Sequence, residues 1–130
     1  MEYVAGIDIG STQAKGVILD GQGSMVARAL LDMETNMGTA AERVFEQVLA
    51  NANLHASNID FTVATGYGRY RVTFGDLQVT EISCHARGAA AEFPGTRTVL
   101  DIGGQDTKAI RIGDSGEVVD FAMNDSDGGN

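Results

Sequence analysis

The sequence predicts an α/β fold with a mixed sheet and covering helices, followed by the opening three-stranded β-meander of a second copy. Apolar runs of strand length alternate with Gly-rich turns, and one stretch between them has the spacing of an amphipathic helix. In addition, residues 8–15 are nearly repeated at residues 101–108, and the same register continues from Gly23 to Gly116. We therefore interpret the two stretches as two copies of one supersecondary unit.

Residues 2–9, 14–20 and 25–31 are predicted to form the first meander. A bend at residues 10–13 separates the first two strands, and an Asp-Gly turn at residues 20–23 separates the next two. Asp-Gly between apolar runs is typical of an antiparallel hairpin. The three strands are therefore expected to be antiparallel neighbours.

A helix is predicted to follow this meander. Gly38 ends the loop, Thr39 is the predicted N-cap, and Glu42 completes a capping box three residues later. The apolar residues that follow recur at i, i+3 and i+4, which predicts a face packed on the sheet. That face consists of Ala41, Val44, Phe45, Val48, Leu49 and Ala52.

A fourth strand is predicted at residues 61–65, and it leads directly into a turn with two glycines and two arginines at residues 66–71. Open α/β sheets bind ligands at this carboxyl end of their strands. A solvated loop with surface arginines explains the pattern equally well.

Residues 79–82 are predicted to form a fifth strand, and Ser83 is the predicted cap of an Ala-rich helix at residues 84–93. Cys84 and His85 are adjacent in this helix. Adjacent helical residues point about 100° apart, so we do not expect these two to form a catalytic dyad or a metal site.

The second meander is predicted to mirror the first. Its strands are expected at residues 97–102, 107–112 and 117–122. The polar residues after them are too hydrophilic for a core and are expected to form a loose end. The predicted domain bounds are 1–95 for the first domain, 96–123 for the meander of the second, and 124–130 for a flexible tail.

The two repeated hairpins carry the candidate chemistry. Each has a bend rich in Gly, Ser or Thr, where backbone N–H groups can approach an anion without obstruction by Cβ atoms. The carboxylates of Asp8 and Asp101 at the strand ends would repel a bare phosphate. They favour a divalent cation, held mostly through water, between carboxylate and phosphate. Two ordinary hairpins with glycine turns are the alternative.

Composition narrows the function class. The formal charge of −9 and the pI near 4.4 argue against a nucleic-acid backbone or an anionic membrane as the main partner. The single cysteine, Cys84, excludes an intramolecular disulfide and indicates a reducing compartment. No apolar run approaches the roughly 18 residues of a membrane helix, and no signal-peptide pattern is present. We expect a cytoplasmic protein.

Five motifs, in chain order, resemble those of one family. The family comprises the ATP-dependent activators of 2-hydroxyacyl-CoA dehydratases and the ATPase subunits of benzoyl-CoA reductase. It lies in the superfamily of actin, sugar kinases and heat-shock chaperones, so the resemblance implies a ribonuclease-H-like, actin-like ATPase fold. The motifs are Gly6-Ile7-Asp8-Ile9-Gly10-Ser11-Thr12, Ala64-Thr65-Gly66-Tyr67-Gly68-Arg69, Thr80-Glu81-Ile82-Ser83-Cys84-His85-Ala86-Arg87-Gly88-Ala89, Val99-Leu100-Asp101-Ile102-Gly103-Gly104-Gln105-Asp106 and Phe121-Ala122-Met123-Asn124-Asp125.

The resemblance implies an ATPase that uses ATP or ADP with Mg²⁺. It implies a homodimer or a pair of subunits that share a [4Fe-4S] cluster and pass a low-potential electron to an acyl-CoA dehydratase or reductase. Asp8 and Asp101 would hold the magnesium shell, with Asp101 also catalytic, and Gln105 would orient the attacking water. The implied phosphate-binding residues are Gly10, Ser11, Thr12, Gln13, Lys15, Gly103, Gly104 and Gln105.

The last residues differ from the family pattern. Where members continue with a lysine and a cluster-ligating cysteine, residues 126–130 read Ser-Asp-Gly-Gly-Asn. We therefore expect an N-terminal portion of such an activator, without the cluster ligands or the adenosine loop. Its second meander would expose an apolar face, and would either self-associate through residues 97–122 or dock against the first domain of the same chain.

Two alternatives remain. One is a non-catalytic, self-associating fragment that no longer binds nucleotide. The other is a small-molecule kinase of the same superfamily. P-loop and Rossmann proteins are excluded because neither glycine motif is present.

Overall fold

A computed structural model describes residues 2–33, 35–102 and 106–125. The chain divides into two compact units, Met1–Val79 and Thr80–Asn130. Each contains one sheet and one α-helix in its described part. The prediction of a mixed α/β protein with two related meanders is therefore confirmed.

The first unit is built on a five-stranded mixed sheet with the order β3-β2-β1-β4-β5. Strands β1, β2 and β3 are antiparallel neighbours, as predicted, whereas β4 runs parallel to β1 and β5 parallel to β4. The strand bounds are β1 (Tyr3–Ile9), β2 (Gln13–Asp20), β3 (Met25–Asp32), β4 (Ile59–Thr65) and β5 (Leu77–Gln78).

Helix α1 (Met37–Ala52) covers one face of this sheet. Ile7, Gly16 and Ala29 are register partners across β1, β2 and β3, so they share that face. At Gly16 the helix comes close enough that an added Cβ would lie 3.4 Å from Val48 Cγ1. The buried residues of this layer are Ala5, Ile7, Ile9, Ala14, Ile18, Ala40, Ala41, Val44, Val48, Leu49 and Ala64.

The start of α1 differs from the prediction. Asn36 is the N-cap, and its side-chain oxygen accepts a hydrogen bond of 3.1 Å from the backbone N–H of Thr39. The predicted cap at Thr39, with its capping box at Glu42, is therefore wrong. Asn36 has extended backbone angles and a strong acceptor, so the helix begins three residues earlier than a cap at Thr39 would allow.

The second unit has a three-stranded antiparallel sheet with the order β6-β7-β8. Its strands are β6 (Thr98–Ile102), β7 (Asp106–Ile112) and β8 (Val118–Asp125). Helix α2 (Glu81–Glu92) packs on this sheet through Ala86, which is fully buried against Ile110 and Ile112.

Two predictions near α2 are wrong. The fifth strand is Leu77–Gln78 rather than residues 79–82, and the cap of α2 is Thr80 rather than Ser83. Thr80 Oγ1 accepts a hydrogen bond of 3.3 Å from the backbone N–H of Ser83. Because Thr80 keeps an extended conformation and Glu81 is already helical, Ser83 lies inside the first turn.

Helix α2 covers one face of the second meander, which was expected to be exposed. Alternate residues of β6 and β7 lie beneath α2, whereas Leu100 and Ile102 point to the other face and are 66% and 72% exposed. Strand β8 continues to Asp125, because Asn124 pairs with Thr107 and Asp125 pairs with Asp106 at the end of the ladder. The prediction of a loose end from residue 124 is thus wrong at its first two residues, and residues 126–130 lie outside the described part.

Within the part of the chain that the structure describes, no helix is long and apolar enough to cross a membrane. Cytoplasmic location stays a prediction. The same holds for the predicted domain bounds, although α2 packs on strands of the second unit.

Candidate functional site

The first repeated hairpin forms a tight turn at the end of the β1–β2 pair. The Gly10 N–H donates to the Gln13 carbonyl at 3.0 Å, which closes the turn. The Met33 N–H donates to the Thr12 carbonyl at 2.9 Å and fixes the turn to the end of β3. Ser11 and Thr12 are both exposed, so solvent and ligands can reach them. Because the Gly10 N–H already donates the hydrogen bond that closes the turn, it is not available to a phosphate.

Asp8 lies beside this turn, directly opposite Lys15 in the β1–β2 ladder. Both residues lie on the sheet face opposite α1, because their neighbours Ile7 and Ile9 point towards the helix. Asp8 is half-buried and Lys15 is exposed. The structure thus places two of the predicted site residues side by side.

A second turn, after β4, lies against the same strand end. Gly66 has a left-handed φ of 93°, and an added Cβ there would lie 2.5 Å from both Asp8 Oδ1 and the Ile9 carbonyl oxygen. The Gly68 N–H donates to that Ile9 carbonyl at 2.8 Å. The sequence pattern correctly placed this turn at the carboxyl edge of the sheet, but it did not indicate direct contact with the Asp8 carboxylate.

Arg69 and Tyr70 belong to this turn. The Arg69 guanidinium donates to the Gly66 carbonyl at 2.9 Å and lies 5.0 Å from the centre of the Tyr70 ring. Arg69 therefore stabilises the turn that approaches Asp8. Of the two alternatives for its arginines, a purely solvated loop does not describe Arg69.

Thr65 is a site neighbour that sequence reasoning missed. It pairs with Asp8 across the parallel β1–β4 ladder, so its side chain shares the Asp8 face. Its hydroxyl oxygen is buried and has no hydrogen-bond partner among the described residues. Buried hydroxyls are normally paired, so this one marks a position with unfilled hydrogen-bonding capacity beside a carboxylate. Its sequence signal was its place in the second family motif, directly before Gly66.

The second hairpin reproduces the register of the first. Asp101 is opposite Lys108 across β6 and β7, as Asp8 is opposite Lys15. Here the pair is enclosed, because Lys108 is only 9% exposed and its Nζ lies 3.6 Å from Asp101 Oδ2. His85 Nε2, from α2, lies 3.8 Å from the same oxygen.

The bend of the second hairpin lies outside the described residues. Gly103, Gly104 and Gln105 belong to it, so their predicted roles with phosphate and attacking water stay predictions. No group of three or more His, Cys, Asp or Glu side chains is arranged to hold a metal ion among residues 2–33, 35–102 and 106–125. Asp8 and Asp101 would each contribute a single carboxylate.

The local features of Asp8 fit a small hydrated cation. A half-buried carboxylate lies beside a glycine whose missing Cβ leaves room and beside the unpaired Thr65 hydroxyl. Oxygen ligands and water are what Mg²⁺ prefers. A [4Fe-4S] cluster does not fit the described side chains, because the sequence has one cysteine, the half-buried Cys84.

One carboxyl group outside this region has a perturbed pKa. Hydrogen bonds from its own backbone N–H and from the Ser115 N–H, the latter 2.9 Å long, lower the pKa of Glu117. The nearby positive charges of Arg87 and Arg97 act in the same direction. Glu117 lies in the β7–β8 turn and is a structural group of the second unit.

Comparison with known proteins identifies relatives over most of the chain. The sequence profile of the BadF/BadG/BcrA/BcrD ATPase family matches residues 5–129. The activator of lactoyl-CoA dehydratase from Anaerotignum propionicum is 42% identical over 123 residues, which are 95% of this chain and 47% of that protein. The chain therefore spans about half the length of the curated relatives it matches.

Solved structures agree with this comparison. Component A of the (R)-2-hydroxyglutaryl-CoA dehydratase of Acidaminococcus fermentans superposes with a TM-score of 0.88 at 41% identity, covering 96% of this chain and 48% of that one. The activator of the 2-hydroxyisocaproyl-CoA dehydratase from Clostridium difficile, solved with bound ADPNP, gives a TM-score of 0.83 at 42% identity, covering 95% of this chain and 46% of that one. The predicted actin-like ATPase fold and the predicted family are confirmed.

Proposed function

The chain belongs to the BadF/BadG/BcrA/BcrD ATPase family, and from this membership we propose that it is the nucleotide-binding portion of an ATPase activator. The partner would be a 2-hydroxyacyl-CoA dehydratase or a benzoyl-CoA reductase, activated by ATP-driven transfer of a low-potential electron. The observation that carries the nucleotide role is the duplicated hairpin, in which an aspartate and a lysine face each other at the same register in both units.

The first hairpin supplies groups for a phosphate. Ser11 and Thr12 present exposed hydroxyls at a turn whose backbone is fixed at both ends. Lys15, exposed beside Asp8, adds a positive charge at the same edge. Preorganised donors of this kind stabilise negative charge without reorganisation during the reaction.

Asp8 would hold a hydrated Mg²⁺, which would neutralise phosphate charge when bound. The protein's contribution is to orient the carboxylate. The Gly66 turn packs against Asp8 Oδ1 and prevents the side chain from rotating in that direction. On the same face, Thr65 offers a hydroxyl that has no hydrogen-bond partner among the described residues.

Asp101 would play the corresponding part in the second unit. The Lys108 ammonium beside it compensates the carboxylate charge inside a nearly buried pair. In the absence of ligand this pairing avoids an isolated buried charge, which would cost several kcal/mol.

A calorimetric titration of Mg-ADP into the 130-residue chain tests the proposal. Saturable binding is expected, and Asp8→Asn and Asp101→Asn should each weaken it at least tenfold if both hairpins contribute. Asp60→Asn is the matched control, because Asp60 is an exposed aspartate of β4 in the same sheet. Equal weakening by the control would indicate a general charge effect. No heat at millimolar Mg-ADP would favour the fragment that has lost nucleotide binding.

Self-association is proposed as well, because apolar side chains of the second unit are exposed. Leu100 and Ile102 lie on the face opposite α2, and Phe121 and Met123 are half exposed on β8. Phe121 is the register partner of Ile110, which lies beneath α2, so the exposed apolar side chains occupy both faces of this sheet. Exposed apolar surface commonly marks an interaction site. The electron-transfer role is proposed for the whole protein, since the cysteine content of this chain does not provide a cluster site.

A further inference from the structure

The side chain of His85 is placed beside a predicted catalytic carboxylate from a different element of the second unit. Resting on the proposed nucleotide function, we propose that His85 is a positioning residue that fixes the orientation of the Asp101 carboxylate. The sequence did not predict this contact, because the only neighbour of His85 considered there, Cys84, points elsewhere on the helix.

The position of His85 follows from the packing of α2. Ala86, the next residue, is fully buried against Ile110 and Ile112 of β7. Because alanine is small, the helix can lie close to the sheet at this position. The Thr80 cap fixes the residue at which the helix begins. His85 is consequently held at the edge of the contact, with 46% of its side chain exposed and Nε2 3.8 Å from Asp101 Oδ2.

Asp101 therefore has basic side chains on two sides. Lys108 approaches Oδ2 from the neighbouring strand at 3.6 Å, and His85 approaches it from the helix at 3.8 Å. Both separations are longer than a direct hydrogen bond, so neither group locks the carboxylate alone. Both basic side chains approach the same oxygen, Oδ2.

The first hairpin lacks this arrangement. Asp8 has the same register against Lys15, but its side chain is bordered by the Gly66 turn, and α1 lies on the opposite face of the sheet. The two aspartates are thus oriented by different means, one by a glycine turn and the other by a helix. Without His85, Asp101 would keep the Lys108 contact as its one ion pair among the described residues and could populate a second rotamer.

The test combines a structural readout with a binding readout in the full chain. Three-bond NMR couplings report the χ1 rotamer of Asp101 in the unsubstituted chain, in H85A and in H85Q. Isothermal titration then gives the Kd of Mg-ADP for each. His55→Ala is the control, because His55 is an exposed histidine in the first unit. Far-UV circular dichroism verifies that each variant is folded.

We expect one Asp101 rotamer in the unsubstituted chain, averaging in H85A, and recovery in H85Q, whose amide nitrogen can occupy the position of Nε2. The Kd of Mg-ADP should rise about tenfold in H85A, as for other residues that orient a metal-binding carboxylate, and recover in H85Q. Unchanged Asp101 couplings in H85A would refute the positioning role. Changed couplings without any Mg-ADP binding by the unsubstituted chain would support the His85–Asp101 contact and refute the proposed nucleotide function instead.

Discussion

Replacing Gly66 with alanine tests the packing that orients Asp8. Two separate costs are expected. Gly66 has a φ of 93°, and an L-residue in left-handed conformation costs about 1–2 kcal/mol. In addition, the new Cβ would lie 2.5 Å from both Asp8 Oδ1 and the Ile9 carbonyl oxygen. Because the carbonyl is backbone, the end of β1 or the turn must move, and overpacking of this kind costs about 1–3 kcal/mol. The sum is about 2–5 kcal/mol.

Gly23→Ala separates the two costs. Gly23 also has a left-handed φ, of 82°, but nothing lies within 4 Å of the position that its Cβ would take. Only the conformational cost of about 1–2 kcal/mol is therefore expected there. The difference between the variants measures the close approach of the Gly66 turn to Asp8.

Urea denaturation followed by circular dichroism gives both values, because the free energy of unfolding is obtained by linear extrapolation to water. Gly66→Ala should be less stable than Gly23→Ala by at least about 1 kcal/mol. Under conditions where it remains folded, it should also bind Mg-ADP more weakly, since Asp8 would be displaced. Equal stability losses in the two variants would refute the packing of this turn against the Asp8 carboxylate.

Three further outcomes are expected. Gly88→Ala should stabilise the chain by about 0.5–1 kcal/mol, because Gly88 lies inside α2 and its Cβ position is open space. Thermal or urea unfolding measures this, and a loss of stability would contradict the open space at Gly88. Glu117→Gln should reduce the loss of stability on acidification, because the lowered pKa of Glu117 contributes stability that is present above its ordinary value of 4.5 and is lost as the pH falls through the folded value. Urea unfolding over this pH range measures the effect, and a pH profile equal to that of the unsubstituted chain would contradict it. Leu100→Lys should convert a concentration-dependent oligomer into a monomer in sedimentation velocity, and a monomeric unsubstituted chain would exclude self-association through this face.

The local sequence pattern was sufficient to locate the strands, but it was not sufficient to locate the first residues of the helices. Alternating apolar residues and Gly-rich turns located the strands of both meanders within a few residues, because the period of a half-buried strand is visible in sequence. The caps were misplaced at Thr39 and Ser83, since several polar residues compete before each helix. The backbone conformation of Asn36 and Thr80 decided between them.

The sequence by itself determined the family and the duplicated hairpin, because residues 8–15 are nearly repeated at residues 101–108. The structure shows that both hairpins pair an aspartate with a lysine at the same register. Only the tertiary structure decided what surrounds each carboxylate. The Gly66 turn lies against Asp8, and His85 reaches Asp101 from α2. These contacts join residues far apart in the chain, and they depend on how a parallel strand and a helix pack, which no local pattern of residues encodes.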